Sequence, residues 1–409
     1  MRRLALALLA LALIAAACGE EEAAMPAPIV IDESVPQASE ATPADPDEPT
    51  TVAGVEPIDD EVGFEGRADI RPTGNRISRG AGDLAAAPIE VQLDSPAVWL
   101  VPSSPEPAAS WAAVLADGQL VWIDPVEQAV EILDPDWGDV EPIVRAGRIE
   151  TWNVATDFPG ALSDGRVVTD GEIVVVLADP TDRYGHAVLG DDIEAGAIEI
   201  HAATDGPGQN TRIELERDVV EGRTALLGDV DGDGTDEILV TLSNADTGAR
   251  LALYDRSGAA VAESDPIGRG NRWRNQLAIA PVGPNGEIEV VDIRTPHLGR
   301  TIEWFRLEGD RLELVAELPG FTSHVIGSRN LELAIVADPD GDGRLEVVAS
   351  SPDRFVLSVV ARTDDGAEVE VAIDLGARLS SNIGAVDHDD GSASYAVGTD
   401  DGVVRFWLS

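Results

Sequence analysis

Short apolar runs separated by Asp-Gly and related turns fill the chain from about residue 86 to its end. Trp111–Ala116 leads into the turn Asp117-Gly118, and Gln119–Ile123 follows that turn directly. Runs of this length, bounded by such turns, are typical of β-strands joined by tight hairpins. Beyond the first seventeen residues, no stretch of ten or more residues has helical periodicity. We therefore predict that the folded part of the chain is all-β.

An internal repeat recurs within this region. Residues 226–240 and 335–349 share one pattern, in which an apolar strand leads into Asp-x-Asp-Gly-Asp-Gly-x-x-Glu and a second apolar strand follows. Shorter matches to the same frame begin at Asp191, Pro281 and Asp387. The five copies begin at 191, 229, 281, 338 and 387, which gives intervals of 38, 52, 57 and 49 residues. The chain is therefore built from a repeated unit of about fifty residues.

A unit of that length suits one four-stranded blade of a β-propeller. Residues 86–409 would then hold about seven blades, and Ile89–Leu93 could close the ring by pairing with the last hairpin, Tyr395–Leu408. The alternative architecture is a tandem of β-sandwiches with calcium at their junctions. We predict the propeller, because ring closure protects the strand edges that an open array would expose.

The two complete loops have the ligand pattern of a calcium site. Carboxylates at loop positions 1, 3 and 5 converge on one point, and glycines at positions 4 and 6 allow the positive φ angles that this wrapping needs. Oxygen ligands without His or Cys favour Ca²⁺ over zinc or copper. The predicted ligands are Asp229, Asp231, Asp233, the carbonyl of Thr235 and Glu237 in the first loop, and Asp338, Asp340, Asp342, the carbonyl of Arg344 and Glu346 in the second. The alternative is that these loops are solvated Asp-Gly turns.

The setting of the loops distinguishes them from an EF-hand. Position 12, where an EF-hand needs a bidentate Glu, is Val240 in one loop and Ala349 in the other, and an apolar strand follows each loop. This strand–loop–strand arrangement resembles the FG-GAP or VCBS repeats of integrin-type β-propellers, whose loops bind calcium structurally. That family commonly has Asp at position 9, where this chain has Glu237 and Glu346. The copy at Pro281 has lost its aspartates, and no metal is expected there.

The first seventeen residues form a charged start followed by an apolar run. Leu4–Ala17 is too short to span a bilayer as a stable helix, so residues 1–17 are predicted to be a secretory signal peptide. The sequence Ala15-Ala16-Ala17-Cys18-Gly19 resembles the bacterial lipobox, which implies lipidation at Cys18, the only cysteine of the chain. The alternative is an ordinary signal peptide with an incidental cysteine. We expect an exported lipoprotein, anchored at the bacterial cell surface or the periplasmic face of a membrane.

Residues 18–85 are rich in Pro, Ala, Thr and acidic residues and poor in large apolar ones. Such a segment cannot bury enough surface to offset the entropy of ordering it. We therefore predict that it is a disordered tether between the anchor and the folded domain at 86–409.

The charge balance limits the partners of the protein. The chain has 28 basic residues, all of them Arg, against 76 acidic residues, and its formal net charge is −48. A surface of this charge repels nucleic acid and anionic lipid headgroups and suits metal cations.

No catalytic motif stands out in the sequence. It contains no Gly-x-Ser-x-Gly, no His-Glu-x-x-His and no phosphate-binding loop, so we predict a non-catalytic protein. Its five histidines are scattered along the chain, and each is read as a satisfied loop or strand residue, with a zinc site as the alternative. Polar residues precede most repeat loops and would lie near the central funnel of a propeller, where they either line a ligand site or hydrogen-bond the strand ends. They are His186, Arg223, Asn275, Arg329 and Asn382.

Two functional hypotheses follow from this pattern. The first is a calcium-binding surface lipoprotein that acts as a binding or adhesion scaffold for a protein, peptide or glycan. The second is an exported enzyme acting on polysaccharide, which would need two carboxylates about 5–10 Å apart in a concave site away from the metal loops. We favour the scaffold, because the sequence offers no way to select such a pair.

Overall fold

A computed structural model describes residues 71–103, 110–145, 148–151, 154–203 and 210–409, all within one compact unit. The predicted signal peptide, Cys18 and residues 18–70 of the predicted tether lie outside the described residues. Regular structure in the described part is β-strand except for one helical turn, α1 (Val154–Asp157), so the predicted all-β class is confirmed. None of the described residues belongs to a helix long and apolar enough to cross a membrane.

The strands are short, and they follow one another closely along the chain. The first eight are β1 (Ile77–Ala81), β2 (Ile89–Gln92), β3 (Ala97–Pro102), β4 (Trp111–Leu115), β5 (Leu120–Asp124), β6 (Ala129–Asp134), β7 (Ile143–Arg145) and β8 (Arg148–Glu150). The next nine are β9 (Val168–Thr169), β10 (Ile173–Thr181), β11 (Glu194–Ala202), β12 (Thr211–Glu214), β13 (Val219–Val220), β14 (Leu226–Gly228), β15 (Glu237–Ser243), β16 (Arg250–Tyr254) and β17 (Ala260–Glu263). The remaining strands are β18 (Arg274–Ala280), β19 (Glu289–Arg294), β20 (Thr301–Glu308), β21 (Arg311–Pro319), β22 (Ala334–Asp338), β23 (Glu346–Ser350), β24 (Val356–Thr363), β25 (Gly366–Asp374), β26 (Gly384–Asp387), β27 (Ala393–Gly398) and β28 (Val403–Trp407).

Consecutive strands pair antiparallel in sequence order. Four-stranded sheets of this kind are β3–β6, β9–β12, β14–β17, β18–β21 and β22–β25. Strands β7 and β8 form a two-stranded sheet between the first and second of these along the chain. Neighbouring sheets touch at a few points, where β13 joins β11 to β15 and where Glu263 of β17 pairs with Arg311 of β21.

The last sheet is completed by the start of the folded chain. Strands β26, β27 and β28 pair in order, and β2 adds antiparallel to β28, with Ile89 opposite Phe406 and Gln92 opposite Val403. The predicted ring closure between residues 89–93 and the last hairpin is therefore confirmed. The fold is a β-propeller with six four-stranded sheets and one two-stranded sheet in the described part, and the number of seven blades stays a prediction.

The cores lie between neighbouring sheets rather than inside each one. Every residue of β15 and of β23 is buried, whereas every residue of β6 and of β25 is exposed or half-buried. A strand in the middle of a sheet that is covered on both faces needs apolar residues at consecutive positions. This explains why the apolar runs in the sequence are continuous as often as they alternate.

Residues 71–82 run through the centre of the ring. The main chain of this segment pairs with the first strands of successive sheets: Thr169 donates to the Pro72 carbonyl and Leu227 to the Thr73 carbonyl, each at 2.9 Å. Further along, β1 runs parallel to β22, with Ile77 beside Val336. A segment that contacts the first strands of several sheets in turn must lie where those strands converge. We call residues 71–82 the channel segment.

Side chains of the channel segment also join the sheets to one another. Asn75 donates to the Leu227 carbonyl at 2.7 Å and accepts from the Ile279 amide at 2.7 Å. Arg76 donates to the carbonyls of Ala334 and Ile383, each at 2.8 Å. The predicted boundary of the folded domain at residue 86 is therefore too late in the chain. The segment has few large apolar residues because polar and main-chain hydrogen bonds hold it in place.

Candidate metal centres

Both complete aspartate loops connect the first strand of a sheet to its second strand. The first loop lies between β14 and β15. The two oxygens of Asp229 accept hydrogen bonds from the amides of Gly232 at 2.7 Å and Gly234 at 3.0 Å. These two glycines have φ angles of 79° and 90°, a region that other residues rarely adopt. The repeated Gly is therefore what allows the loop to wrap around the carboxylate of its first residue.

The second loop, between β22 and β23, has the same internal hydrogen bonds. Asp338 accepts from the amides of Gly341 at 2.8 Å and Gly343 at 3.1 Å, and both glycines again have positive φ angles. Two segments more than a hundred residues apart thus form the same local structure. The resemblance between the two repeats extends from sequence to conformation.

Each loop brings carboxylates together. In the first loop, oxygens of Asp229, Asp231 and Glu237 lie within 4.8 Å of one another. In the second loop, the group contains Asp338, Asp340, Asp342 and Glu346. Asp233, the remaining predicted carboxylate, accepts from the Thr235 amide at 2.8 Å. The carbonyls of Thr235 and Arg344 stay predicted ligands.

These carboxylates carry an electrostatic penalty. Burial, followed by repulsion from Asp342 and Asp340, raises the pKa of Glu346 to about 8. The pKa values of Glu237 and Asp338 are raised by the same two effects. Glu346 is only 2% exposed, and its Oε2 has no hydrogen-bond partner in the protein. A bound cation would relieve both the repulsion and the unsatisfied oxygen.

The third loop, between β18 and β19, places arginines rather than aspartates beside its buried glutamate. It has Pro281, Gly283 and Asn285 at positions 1, 3 and 5, but it keeps a fully buried Glu289 at position 9. Arg306 contacts Oε1 of Glu289 at 2.5 Å, and Arg362 contacts Oε2 at 2.9 Å. Where the aspartates are missing, two arginines thus meet the glutamate at position 9. That this loop binds no metal stays a prediction.

The fourth loop, between β26 and β27, uses its first aspartate to hold the channel segment. Asp387 forms an ion pair with Arg71 and accepts hydrogen bonds from the Ser78 hydroxyl and the Gly80 amide. Position 9 of this loop is Tyr395, which is buried. The sequence pattern gave no indication of this second use of a loop aspartate, because its partners are about three hundred residues away.

The copy that begins at Asp191 does not share the frame of the others. It lies in the connection between β10 and β11, the second and third strands of its sheet, and Glu199 falls within β11. The true counterpart in that sheet is the short turn 170–172 between β9 and β10. The match at 191 was therefore wrong, and the first interval of 38 residues does not measure a blade.

Two of the predicted funnel residues are buried asparagines that tie the ends of strands in adjacent sheets. Asn275 donates to the Leu331 carbonyl at 2.8 Å. Asn382 accepts from the Leu100 amide at 2.7 Å and donates to the Leu100 carbonyl at 2.8 Å. Of the two roles considered for these residues, the contacts of both asparagines agree with hydrogen bonding between strands around the ring rather than with lining a ligand site.

The charged members of that set are engaged in ion pairs. His186 pairs with the carboxylate of Glu221. Arg223 contacts Glu141 at 3.1 Å, and Arg329 contacts Asp191 at 2.8 Å. That these residues line a ligand-binding funnel stays a prediction.

Arg223 and Arg329 nevertheless line a cavity of about 710 Å³ at the mouth of the ring. Its floor includes Arg71, Pro72 and Gly74 of the channel segment, and Val98 and Trp99 lie in its wall. A cavity of this size, with mixed polar and apolar walls, falls within the range of small-ligand sites. Since the channel segment forms the floor, a ligand would reach this cavity from one side of the ring.

Glu194 and Glu221 are a pair of buried carboxyls that lies away from the metal loops. Burial, followed by repulsion from Glu221, raises the pKa of Glu194 to about 9. Glu194 and Glu221 are 2% and 0% exposed, so solvent does not reach either carboxyl. This pair therefore does not form the open acid–base site that the enzyme hypothesis requires.

Comparisons with known proteins give distant structural similarities. No protein-family model and no curated protein matches the chain. It is similar to a chain in a crystal structure of the mitotic checkpoint complex, with a TM-score of 0.40 and 10% identity, covering 92% of this chain and 98% of the other. It is also similar to a chain in a crystal structure of BBS1N with ARL6DN, with a TM-score of 0.44 and 9% identity, covering 79% of this chain and 97% of the other. The propeller assignment rests on the sheet order and ring closure described above.

Proposed function

We propose that the protein is a non-catalytic, calcium-binding scaffold of the FG-GAP or VCBS type. Ca²⁺ would bind at the loops 229–237 and 338–346 and stabilise the ring. The ligand that the scaffold binds would be a protein, peptide or glycan. Export and a lipid anchor at Cys18 complete the proposal.

The contrast between the second and third loops supports calcium most directly. Glu289 and Glu346 occupy the same loop position, and both are buried. Arg306 and Arg362 contact Glu289, whereas Glu346 has an unpartnered oxygen among three aspartates. In the second loop a single arginine, Arg344, pairs with Asp342 at 2.9 Å and lies 3.9 Å from Glu346, so it does not balance the four carboxylates of that loop. A buried carboxylate needs a compensating positive charge, which a bound cation would supply.

The ligand set and the chain as a whole favour Ca²⁺ and a structural role. Carboxylate and carbonyl oxygens are the donors that Ca²⁺ prefers. The chain has one cysteine, so it cannot form an internal disulfide to stabilise an exported domain. A cation that binds only the folded state supplies stability by mass action instead.

Calorimetric titration of the calcium-free full chain tests the metal assignment. We expect two Ca²⁺ per chain for the wild type and one for either Asp231→Asn or Asp340→Asn. Both aspartates are exposed, so these substitutions should leave the core intact. Asp389→Asn changes the exposed carboxylate at position 3 of the fourth loop and should still bind two ions. Equal stoichiometry in all four proteins would refute the assignment.

The cavity at the mouth of the ring is the proposed ligand site. Ser163 is exposed in its lining, so Ser163→Trp should fill the opening without breaking an ion pair. On peptide and glycan arrays, we expect ligands bound by the wild type to be lost in this variant and kept in Asp389→Asn. Retention of every ligand by Ser163→Trp would place the binding surface elsewhere.

The anchor is tested by fractionation of cells that express the full chain. Cys18→Ala should move the protein from the membrane fraction to the soluble exported fraction, because the cysteine is the predicted site of lipidation. An unchanged membrane fraction would contradict the lipoprotein assignment without affecting the calcium sites.

A further inference from the structure

The end of the channel segment lies against the second aspartate loop. The amide of Gly82 donates to the main-chain carbonyl of Asp338 at 2.9 Å. The amide of Leu84, just beyond the segment, donates to the carbonyl of Pro339, also at 2.9 Å. The approach is close, because a methyl group added to Gly341 of the loop would lie 3.6 Å from the Gly82 carbonyl oxygen. Two consecutive residues of the loop thus hold this part of the chain.

Asp338 has two roles in the second loop. Its side chain is a predicted calcium ligand and lies in a group with the carboxylates of Asp340, Asp342 and Glu346. Its main-chain carbonyl is the acceptor for the Gly82 amide. Four carboxylates this close repel one another unless a cation balances them, and the buried Glu346 has an oxygen without a hydrogen-bond partner. Opening of the empty loop would relieve the repulsion and would move the carbonyl that Gly82 contacts.

The fourth loop extends this contact to the cavity at the mouth of the ring. Gly80, two residues before Gly82, donates its amide to the carboxylate of Asp387 at 3.1 Å. The same carboxylate pairs with the guanidinium of Arg71. Arg71 lies in the floor of the cavity. A short series of main-chain and ion-pair contacts therefore leads from the second loop to the cavity floor.

The channel segment meets the sheet of the first aspartate loop at a different place. Leu227 donates to the Thr73 carbonyl at 2.9 Å, and its own carbonyl accepts from Asn75 at 2.7 Å. Leu227 belongs to β14, two residues before the loop begins at Asp229. An ion in the first loop would therefore act on the channel segment less directly than an ion in the second loop. The two loops form a matched pair for an experiment.

We propose that calcium bound at the second loop regulates the ligand cavity through the channel segment. The loaded loop holds residues 81–84 in place, and loss of the ion releases them and loosens the cavity floor. This inference rests on the proposed calcium sites and on the proposed ligand cavity. Coupling of this kind passes through contiguous contacts whose arrangement both sites influence. Ligand binding at the cavity would then depend on the ion of the second loop and not on that of the first.

Hydrogen exchange of the full chain, measured in calcium and in excess chelator, tests this regulation. We expect the amides of Gly82 and Leu84 to exchange on the order of tenfold more slowly in calcium, because their acceptors are then held in place. The amide of Gly74, in the cavity floor, should respond in the same direction. Asp340→Asn should exchange rapidly at these amides even in calcium. The matched variant Asp231→Asn, which loses the ion of the first loop, should keep the calcium-dependent protection.

Gly82→Ala tests the coupling from the side of the channel segment. A methyl group added at this residue would lie 2.2 Å from a ring carbon of Tyr395, so the segment cannot dock unchanged. Because coupling between two sites is reciprocal, this variant should bind calcium about 5–150-fold more weakly at the second loop and equally well at the first. The control is Gly185→Ala, where an added methyl group meets no heavy atom of the described residues within 4 Å. It should bind both ions as the wild type does.

The possible outcomes separate this inference from the calcium assignment. Equal exchange at Gly82 and Leu84 in calcium and chelator, in protein whose second loop binds its ion, would overturn the inference alone. Protection that Asp231→Asn abolishes as fully as Asp340→Asn would also overturn it. A response at Gly82 that leaves Gly74 unchanged would exclude regulation of the cavity. Wild-type protein that binds no calcium would remove the proposed sites and this inference together.

Discussion

The partner that each loop carboxylate meets determines what it does in this protein. Glu289 meets two arginines, Asp387 meets the channel segment, and Glu346 has an oxygen with no partner. The sequence predicted the clustering of the loop aspartates, because alternate residues of one tight turn necessarily lie close together. It could not predict the pairing of Glu289 with Arg362, since 73 residues separate them and no local pattern links their positions.

A pH dependence of stability follows at this scale from Glu194. Its pKa is raised to about 9 by burial and by Glu221, whereas an exposed Glu titrates near 4.5. The folded state therefore holds a proton that the unfolded state has released. This contribution to stability is complete below pH 4.5 and is lost as the pH rises through about 9.

Replacing Glu194 with the neutral isostere Gln should remove that dependence. Measured by urea unfolding, the stability of Glu194→Gln relative to wild type should rise between pH 5 and pH 8, on the order of a few kcal/mol. Glu216→Gln, at an exposed position, serves as the control and should show no such trend. A pH-independent difference between Glu194→Gln and wild type would show that Glu194 is ionised in the folded state.

At the scale of elements, pattern and turn chemistry predicted the strands and the closing pair β2–β28. The strands and the closing pair could be predicted because both are formed by apolar runs that are visible in the sequence. The sequence pattern places residues 71–82, the channel segment, in the tether, because they show no apolar periodicity. Hydrogen bonds to five sheets, rather than apolar side chains, hold this segment in the fold. The incorrect match at Asp191 arose because only the spacing of Asp, Gly and Glu was compared. Such a short spacing can match the repeat by chance, and the strands on either side of it do not correspond to those of the other copies.

Asn75 is the residue through which the role of the channel segment can be measured. Asn75→Ala leaves the Leu227 carbonyl and the Ile279 amide without their partner in the interior. We expect the free energy of unfolding to fall by about 2–4 kcal/mol, since each unsatisfied buried group costs about 1–3 kcal/mol. Asn285→Ala, in the exposed third loop, should change it by less than about 0.5 kcal/mol. Equal effects of the two substitutions in urea unfolding would mean that the segment does not support the ring.

At the scale of the whole molecule, a net charge of −48 opposes the compact state, and in the part of the chain that the structure describes two segments help to join the ends of the ring. These are β2, which completes the last sheet, and the channel segment, which contacts the first strands of several sheets. Cations bound at the aspartate loops would reduce the repulsion where acidic residues are densest. Their stabilisation would act on two parts of the ring, because the loops connect the first and second strands of two different sheets.

Thermal unfolding of the full chain, in saturating Ca²⁺ and then in excess chelator, tests the central claim most directly. A cation that binds only the folded state contributes about 2.7 kcal/mol per site at a hundredfold excess over its Kd, so Ca²⁺ should raise Tm by several degrees. The double variant Asp231→Asn with Asp340→Asn should lose this rise, and Asp389→Asn should keep it. The same Tm in calcium and chelator, or a rise that persists in the double variant, would contradict the assignment of the loops as structural calcium sites.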